Sequence, residues 1–153
     1  MDAILVSLLL WINQNTHLDY NVRYGIPKLL QAEQITMAAI IIDDQAAFEK
    51  DRHTASFQNF VDQLEAVYDH KHQAILISSK TDLHSAYARS VIVHELVHFI
   101  QYRQGLQEQV PCLNALERDA YEIQALYMDA FDIAKNFDKA TIAMRSMCWD
   151  YTE

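Results

Sequence analysis

The sequence predicts an α+β fold that is mostly helical, with a small sheet beside one long buried helix. Only 2 Gly and 2 Pro occur among the 153 residues, which leaves little room for long irregular segments. Hydrophobic residues make up 51% of the chain and charged residues 22%, a balance typical of globular proteins. A chain of this length can bury a stable core without help from disulfides or metals, so we expect a single domain over residues 1–153.

The first element is expected to be a helix that ends near residues 13–15, before a break at Gly25 and Pro27. Its apolar stretch is too short to span a bilayer, so we expect no membrane span. It also lacks the basic start and the cleavage site of a signal peptide. Two locations stay open, because the chain could be a cytoplasmic protein or the mature form of an exported one.

Short elements are expected in the region before the long helix. Lys28–Ala32 and Ala74–Ser78 are predicted strands, the second after a polar turn at 68–72. Residues 35–42 are ambiguous, because their Met and Ala favour a helix whereas the three consecutive Ile at 40–42 favour a strand. A helical stripe is formed by Phe57, Phe60, Val61, Leu64 and Val67.

The long helix is expected over about 85–103, with capping residues at 81–85 and a stop at Gly105. It is apolar on all sides, which suits a helix at the centre of a domain. A second stripe predicts one continuous helix that starts after Pro111 and packs along the long helix. Its apolar positions alternate spacings of 3 and 4: Leu113, Leu116, Ala120, Ile123, Tyr127, Ala130, Ala134 and Phe137.

The long helix carries His94, Glu95 and His98 in the pattern H-E-x-x-H. Two His four residues apart lie about 40° apart around a helix, so both imidazoles can reach one cation. Glu95 lies roughly 100° from His94, close enough to act on a water at that cation. A lone His on an apolar helix is usually a core residue, but burying all three ionisable groups is costly unless they are paired or bind a metal.

A metal held by two His of one helix needs a third ligand from a neighbouring element. Glu117, Asp119 and Glu122 are the candidates on the late helix. Glu117 lies at the edge of the apolar stripe beside the small Ala120, whereas Glu122 points about 130° away from the stripe. Asp119 lies on the opposite flank and has a shorter side chain. We therefore expect Glu117 to be the third ligand.

His94, Glu95 and His98, followed 19 residues later by Glu117, resemble the gluzincin pattern of thermolysin-like peptidases. More narrowly, the segments 93–101 and 117–124 resemble an uncharacterised bacterial family of small zincin-like proteins. The resemblance covers about residues 66–126, and it implies a zincin-like domain with Zn²⁺ as its cofactor.

One residue departs from the pattern of the thermolysin-like enzymes. Tyr121 stands where those enzymes carry an Asp that orients a ligand His. A phenol can form a hydrogen bond there, but it cannot stabilise an imidazolium as a carboxylate does. Activity is therefore less firmly implied than metal binding.

The resemblance implies a zinc-dependent metallopeptidase that acts on a peptide or protein. A zinc-activated water would attack the peptide bond with Glu95 as general base. An extended peptide would pair along Ala74–Ser78 as an edge strand. The candidates for a catalytic oxyanion donor are Tyr121, His84 and Tyr87.

Two other functions stay open. One is a regulatory or interaction module that binds zinc without hydrolysis, and the other is a helical interaction protein in which the His pair is structural. Nucleic acid is not expected as a partner, because the net charge is −9 and the 12 basic residues are scattered. The oligomeric state is left open by the sequence.

The two cysteines, Cys112 and Cys148, lack the close spacing of a metal-binding pair. They could form one disulfide if the protein is exported, or remain two buried thiols.

Overall fold

The computed structural model of the chain describes residues 2–149. Three short 3₁₀ turns, at Val22–Tyr24, Leu106–Glu108 and Leu113–Leu116, accompany the helices and strands. Within the described range these elements are, in chain order, α1 (Asp2–Asn15), β1 (Lys28–Ala32), α2 (Gln34–Ile42), α3 (Gln45–Asp51), α4 (Ala55–Asp62), β2 (Ala66–Asp69), β3 (Ala74–Ser78), α5 (Ala86–Arg103), α6 (Glu117–Ala130) and α7 (Lys139–Arg145). The predicted class, α+β and mostly helical with a small sheet, is confirmed.

The chain divides into two compact units. The helical unit contains the described parts of Met1–Ile26 and His84–Glu153, and the sheet unit is Pro27–Leu83. All the residues that the sequence predicts as ligands or catalytic groups belong to the helical unit. The expectation of a single domain stays a prediction.

In the sheet unit, β3 is the middle strand of three. It runs parallel to β1 and antiparallel to β2, and its Leu76 pairs with Leu30 on one side and Val67 on the other. The expectation that Ala74–Ser78 is an edge strand is therefore wrong. The run is apolar without alternation, a pattern typical of a strand buried on both faces, and all five of its residues are buried.

The ambiguous segment 35–42 belongs to a helix, α2. Its Met37 and Ala38 are fully buried, and the helical turn places Ile40 and Ile42 against two separate clusters of the core. The helix ends at Ile42, and the backbone of the next residue, Asp43, lies in the left-handed region with φ of 48°. Packing thus overrides the β preference of the three isoleucines.

The predicted helical stripe 57–67 is correct at its start and wrong at its end. Phe57 and Val61 are buried on α4, but the helix stops at Asp62 and Val67 lies on β2. The side chain of Gln34 donates to the carbonyls of Asp62 (2.9 Å) and Leu64 (3.0 Å), so these groups are satisfied without a further helical turn.

In the helical unit, α1 confirms the predicted first helix. Its buried face consists of Leu5, Leu8, Leu9 and Ile12, and the helix contacts α5. The ring of Trp11 meets Tyr127 of α6 edge-on with centroids 5.0 Å apart. Among residues 2–149, none of the helices combines the length and the apolar composition that crossing a membrane requires.

The predicted long helix is confirmed as α5. The hydroxyl of Ser85 accepts a hydrogen bond from the backbone N–H of Ala88 at 3.1 Å and caps its start. Its end is followed by Gly105, whose φ of 74° is strained for other residues. The helix packs most extensively against α6, as the sequence predicts.

The late segment is not the single helix that its stripe predicts. It begins with the 3₁₀ turn Leu113–Leu116, continues as α6 and ends that helix at Ala130. The chain then turns at Asp132, with φ of 54°, and the N–H of Ile133 bonds back to Met128 O at 2.8 Å. This turn and its hydrogen bond end the helix, although the apolar spacing in the sequence continues beyond it.

The two cysteines form a disulfide. Cys112 precedes the 3₁₀ turn that leads into α6, and Cys148 follows α7, with their Cα atoms 5.7 Å apart. Beside the bond, the side chain of Asn114 donates to Met147 O at 3.1 Å. The alternative of two free thiols is thereby excluded.

Candidate metal centre

The three predicted ligands lie together. The donor atoms of His94, His98 and Glu117 all fall within 4.8 Å of one another. The Nε2 atom of His94 is 3.0 Å from Glu117 Oε2, and that of His98 is 3.3 Å from Glu117 Oε1. One carboxylate therefore faces both imidazoles.

Local structure explains how these side chains meet. His94 and His98 are one turn apart on α5, so their rings share a face and lie 5.0 Å apart. Glu117 is the first residue of α6, directly after the 3₁₀ turn Leu113–Leu116, and its backbone N–H donates to Asn114 O. One turn later Ala120 is fully buried, and its small side chain fits the close packing of α5 against α6.

The electrostatics of the centre couple His98 to Glu117. Burial lowers the pKa of His98. The charge of Glu117 and the hydrogen bond between the two side chains outweigh this effect and raise the pKa to about 9. Burial raises the pKa of Glu117, yet the charge of His98 and the hydrogen bonds from both imidazoles bring it well below its usual range. A positive charge is therefore favoured between these side chains.

Glu95 belongs to the same surroundings. Only 7% of it is exposed. It is the neighbour of His94 in the sequence of α5, and its charge contributes to raising the pKa of both His98 and Tyr121. A buried carboxylate beside the candidate ligands is suited to proton transfer.

The ring of Tyr121 packs edge-on against the ring of His94, with centroids 4.4 Å apart. Its hydroxyl accepts a hydrogen bond from Arg145, whose guanidinium also stacks over the ring at 5.3 Å. Burial raises the pKa of Tyr121, and Arg145 opposes that rise. The Nδ1 atom of His94 lies 3.0 Å from Gln124 Oε1, so this carboxamide is placed to orient the His94 imidazole.

Gln101 and Gln124 are the residues of the centre that the sequence reasoning missed. Gln101 Oε1 is 2.8 Å from the Nδ1 atom of His98, and Gln124 Oε1 is 3.0 Å from that of His94. Both side chains are buried, with 1% and 4% exposed. Their signal in the sequence was an uncharged polar residue on the buried face of each helix.

The other candidates have different surroundings. Asp119 pairs with His17 at 2.8 Å, and Glu122 is exposed. The hydroxyl of Tyr87, an oxyanion candidate, accepts a hydrogen bond from Asn136 at 2.9 Å, while His84 is exposed. The geometry therefore favours Glu117 over the other carboxylates of α6.

Comparison with known proteins places the chain in a family. A family model described as "Domain of unknown function (DUF6647)" matches residues 1–151, so the chain belongs to this family. The comparison with curated proteins gives no match. The comparison with solved structures also gives none.

Proposed function

We propose that the protein is a zinc-dependent metallopeptidase of the gluzincin type. The observation that carries this proposal is the convergence of His94 and His98 from α5 with Glu117 from α6. A peptide or a protein is the proposed substrate. Pairing of that substrate along β3 is not part of the proposal, because β3 is a middle strand.

The donor set fits zinc. Two imidazole nitrogens and one carboxylate oxygen are the ligands of a catalytic zinc site, which uses three protein ligands and keeps one position for water or substrate. The carboxylate between the rings supplies the negative charge that attracts a cation. Bound zinc would supply a Lewis acid that polarises a carbonyl and lowers the pKa of water.

The remaining steps fall to side chains of this chain. Glu95 would take the proton of the attacking water and deliver it to the leaving amine. The hydroxyl of Tyr121 would donate a hydrogen bond to the oxygen that becomes negatively charged. Arg145 supports this role, because it donates to the phenol oxygen and leaves the phenolic hydrogen available.

The test of the proposal is cleavage of a mixed peptide library by the zinc-loaded protein and by Glu95→Gln. The variant should retain its zinc and cleave ~100- to 10,000-fold more slowly, because an amide cannot act as the base. Glu122→Gln, which alters an exposed carboxylate of α6, is the matched control and should cleave like the wild type. Cleavage that is equal in Glu95→Gln and the wild type would refute this mechanism.

The alternative is a zinc-binding regulatory or interaction module without hydrolysis. It predicts one bound zinc, no cleavage of any peptide, and the same behaviour for Glu95→Gln as for the wild type. The same experiment therefore separates the two functions.

A further inference from the structure

Two buried carboxamides determine which nitrogen of each histidine faces the proposed metal. We infer that Gln101 and Gln124 are positioning residues that keep a proton on Nδ1 of His98 and His94, so that Nε2, which faces Glu117 in both rings, is the nitrogen that exchanges its proton for a cation. The inference rests on the proposed metal site and concerns how that site is held ready to bind.

The case for Gln101 follows from its two partners. A carboxamide has one end that donates and one that accepts. Its Nε2 lies 3.0 Å from the carbonyl oxygen of Leu116, a group that only accepts, so the nitrogen end must lie there. The oxygen end then faces Nδ1 of His98 at 2.8 Å, and this nitrogen must carry the hydrogen.

The orientation of Gln124 follows from a chain of three hydrogen bonds. The hydroxyl of Ser90 donates to Tyr87 O at 2.7 Å, so its oxygen is left to accept from the Nε2 of Gln124 at 3.4 Å. The oxygen of Gln124 therefore faces Nδ1 of His94 at 3.0 Å. The same conclusion holds for the second histidine, through independent partners.

Burial makes both arrangements difficult to reverse. A flipped Gln101 amide would set oxygen against the Leu116 carbonyl and N–H groups against the Nδ1–H of His98. With 1% of Gln101 exposed, water has little access to replace the lost hydrogen bonds. A metal ligand usually gives its other ring N–H to such a partner, which fixes the tautomer and the ring orientation.

Gln101 also links the two helices that supply the ligands. Its oxygen holds His98 of α5, and its nitrogen holds the carbonyl of Leu116, the residue directly before Glu117. One carboxamide thus contributes to the spacing between a histidine ligand and the carboxylate ligand.

The variants that test the inference are Gln101→Met and Gln124→Met, which keep an unbranched side chain and remove the acceptor. Each should weaken zinc binding ~10- to 100-fold, as measured by competition with a chromophoric chelator on protein shown to be folded by circular dichroism. Gln124→Glu should recover most of the affinity, because it keeps an acceptor and the Ser90 hydroxyl can turn to donate to it. Gln104→Met is the matched control and should bind zinc like the wild type, since that side chain donates to Asp19 O instead.

A second measurement needs no variant. Long-range ¹H–¹⁵N correlation spectra of the zinc-loaded wild type should show zinc on Nε2 and a proton on Nδ1 for both His94 and His98. Zinc coordination through Nδ1 of either ring would overturn the inference, as would unchanged zinc affinity in both Met variants. A wild type that takes up no zinc would instead refute the proposed function, and this inference with it.

Discussion

At the scale of single residues, Glu117 and His98 show why a cation is favoured in this centre. The carboxylate raises the pKa of His98 to about 9, so at neutral pH the imidazole holds a proton beside Glu117. Zinc would compete with that proton for the same nitrogen, because a histidine must be neutral to bind a metal. His98 and Glu117 would thus form an ion pair with each other when the imidazole is protonated, and would bind zinc together when it is neutral.

The catalytic role proposed for Tyr121 can be tested by removing its hydroxyl oxygen. Tyr121→Phe keeps the ring that packs 4.4 Å from His94 and removes the hydroxyl that accepts from Arg145. We expect peptide cleavage to slow ~100- to 1,000-fold with zinc content unchanged, since an oxyanion donor would be lost. The comparison requires kcat for both proteins on one peptide from the library.

A matched control for Tyr121→Phe is Tyr20→Phe, which removes a hydroxyl that donates to Gly25 O at 2.8 Å. It should leave kcat unchanged. If Tyr121→Phe were as fast as this control, Tyr121 would have only a packing role.

At the scale of elements, the helix boundaries that the sequence predicted correctly were those marked by local capping and stop residues. The cap at Ser85 and the stop at Gly105 bound α5, and both signals act within one or two turns of the chain. Sheet order could not be read in this way, because the central position of β3 depends on pairing with Lys28–Ala32, more than forty residues earlier in the sequence. The end of α6 was missed because apolar spacing continues past the backbone turn at Asp132.

The same distinction applies to the candidate site. The spacing of His94 and His98 is a property of one helix, and the angle of Glu117 on its own helix sufficed to choose it among three carboxylates. Gln101 contacts His98 three residues before it, but its orientation depends on the Leu116 carbonyl 15 residues away. The partners of Gln124, His94 and Ser90, lie 30 and 34 residues away. An uncharged polar residue on an apolar helix face marks each glutamine, but no local pattern shows which groups its amide contacts.

The β2–β3 turn offers a prediction about pH. Asp69 Oδ1 accepts from the N–H of Lys71 at 3.1 Å, and its Oδ2 lies 2.7 Å from the Nδ1 of His72. Burial raises the pKa of Asp69, but the hydrogen bonds and the charge of His72 outweigh it and hold the pKa below the usual value. Because the folded pKa lies below the unfolded one, the stabilisation is complete above about pH 4 and is lost as the pH falls through the folded value.

Asp69→Ala should therefore lower the free energy of unfolding by about 1–2 kcal/mol at pH 7. The difference from the wild type should shrink when urea unfolding is repeated near pH 3. Asp51→Ala, at an exposed position, is the control and should change little with pH. A loss of the same size at both pH values would show that the charge of Asp69 does not stabilise the turn.

At the scale of the whole molecule, the disulfide Cys112–Cys148 closes a loop across 36 positions of sequence. In the loop-entropy description such a bond stabilises the folded chain by about 3–4 kcal/mol. The loop includes Glu117 and all of α6, so the bond restrains the part of the helical unit that carries the third proposed ligand. Disulfides persist in oxidising compartments, and of the two locations that the sequence left open the exported one suits this bond.

The central claim is that His94, His98 and Glu117 together hold one zinc ion. The most direct test is elemental mass spectrometry of protein that has been offered zinc at neutral pH and then freed of excess metal. We predict about one zinc per chain in the wild type, and its loss in both His98→Ala and Glu117→Ala. His72→Ala, which removes an exposed imidazole, should keep the metal. A wild type without zinc, or full zinc content in both ligand variants, would contradict the claim.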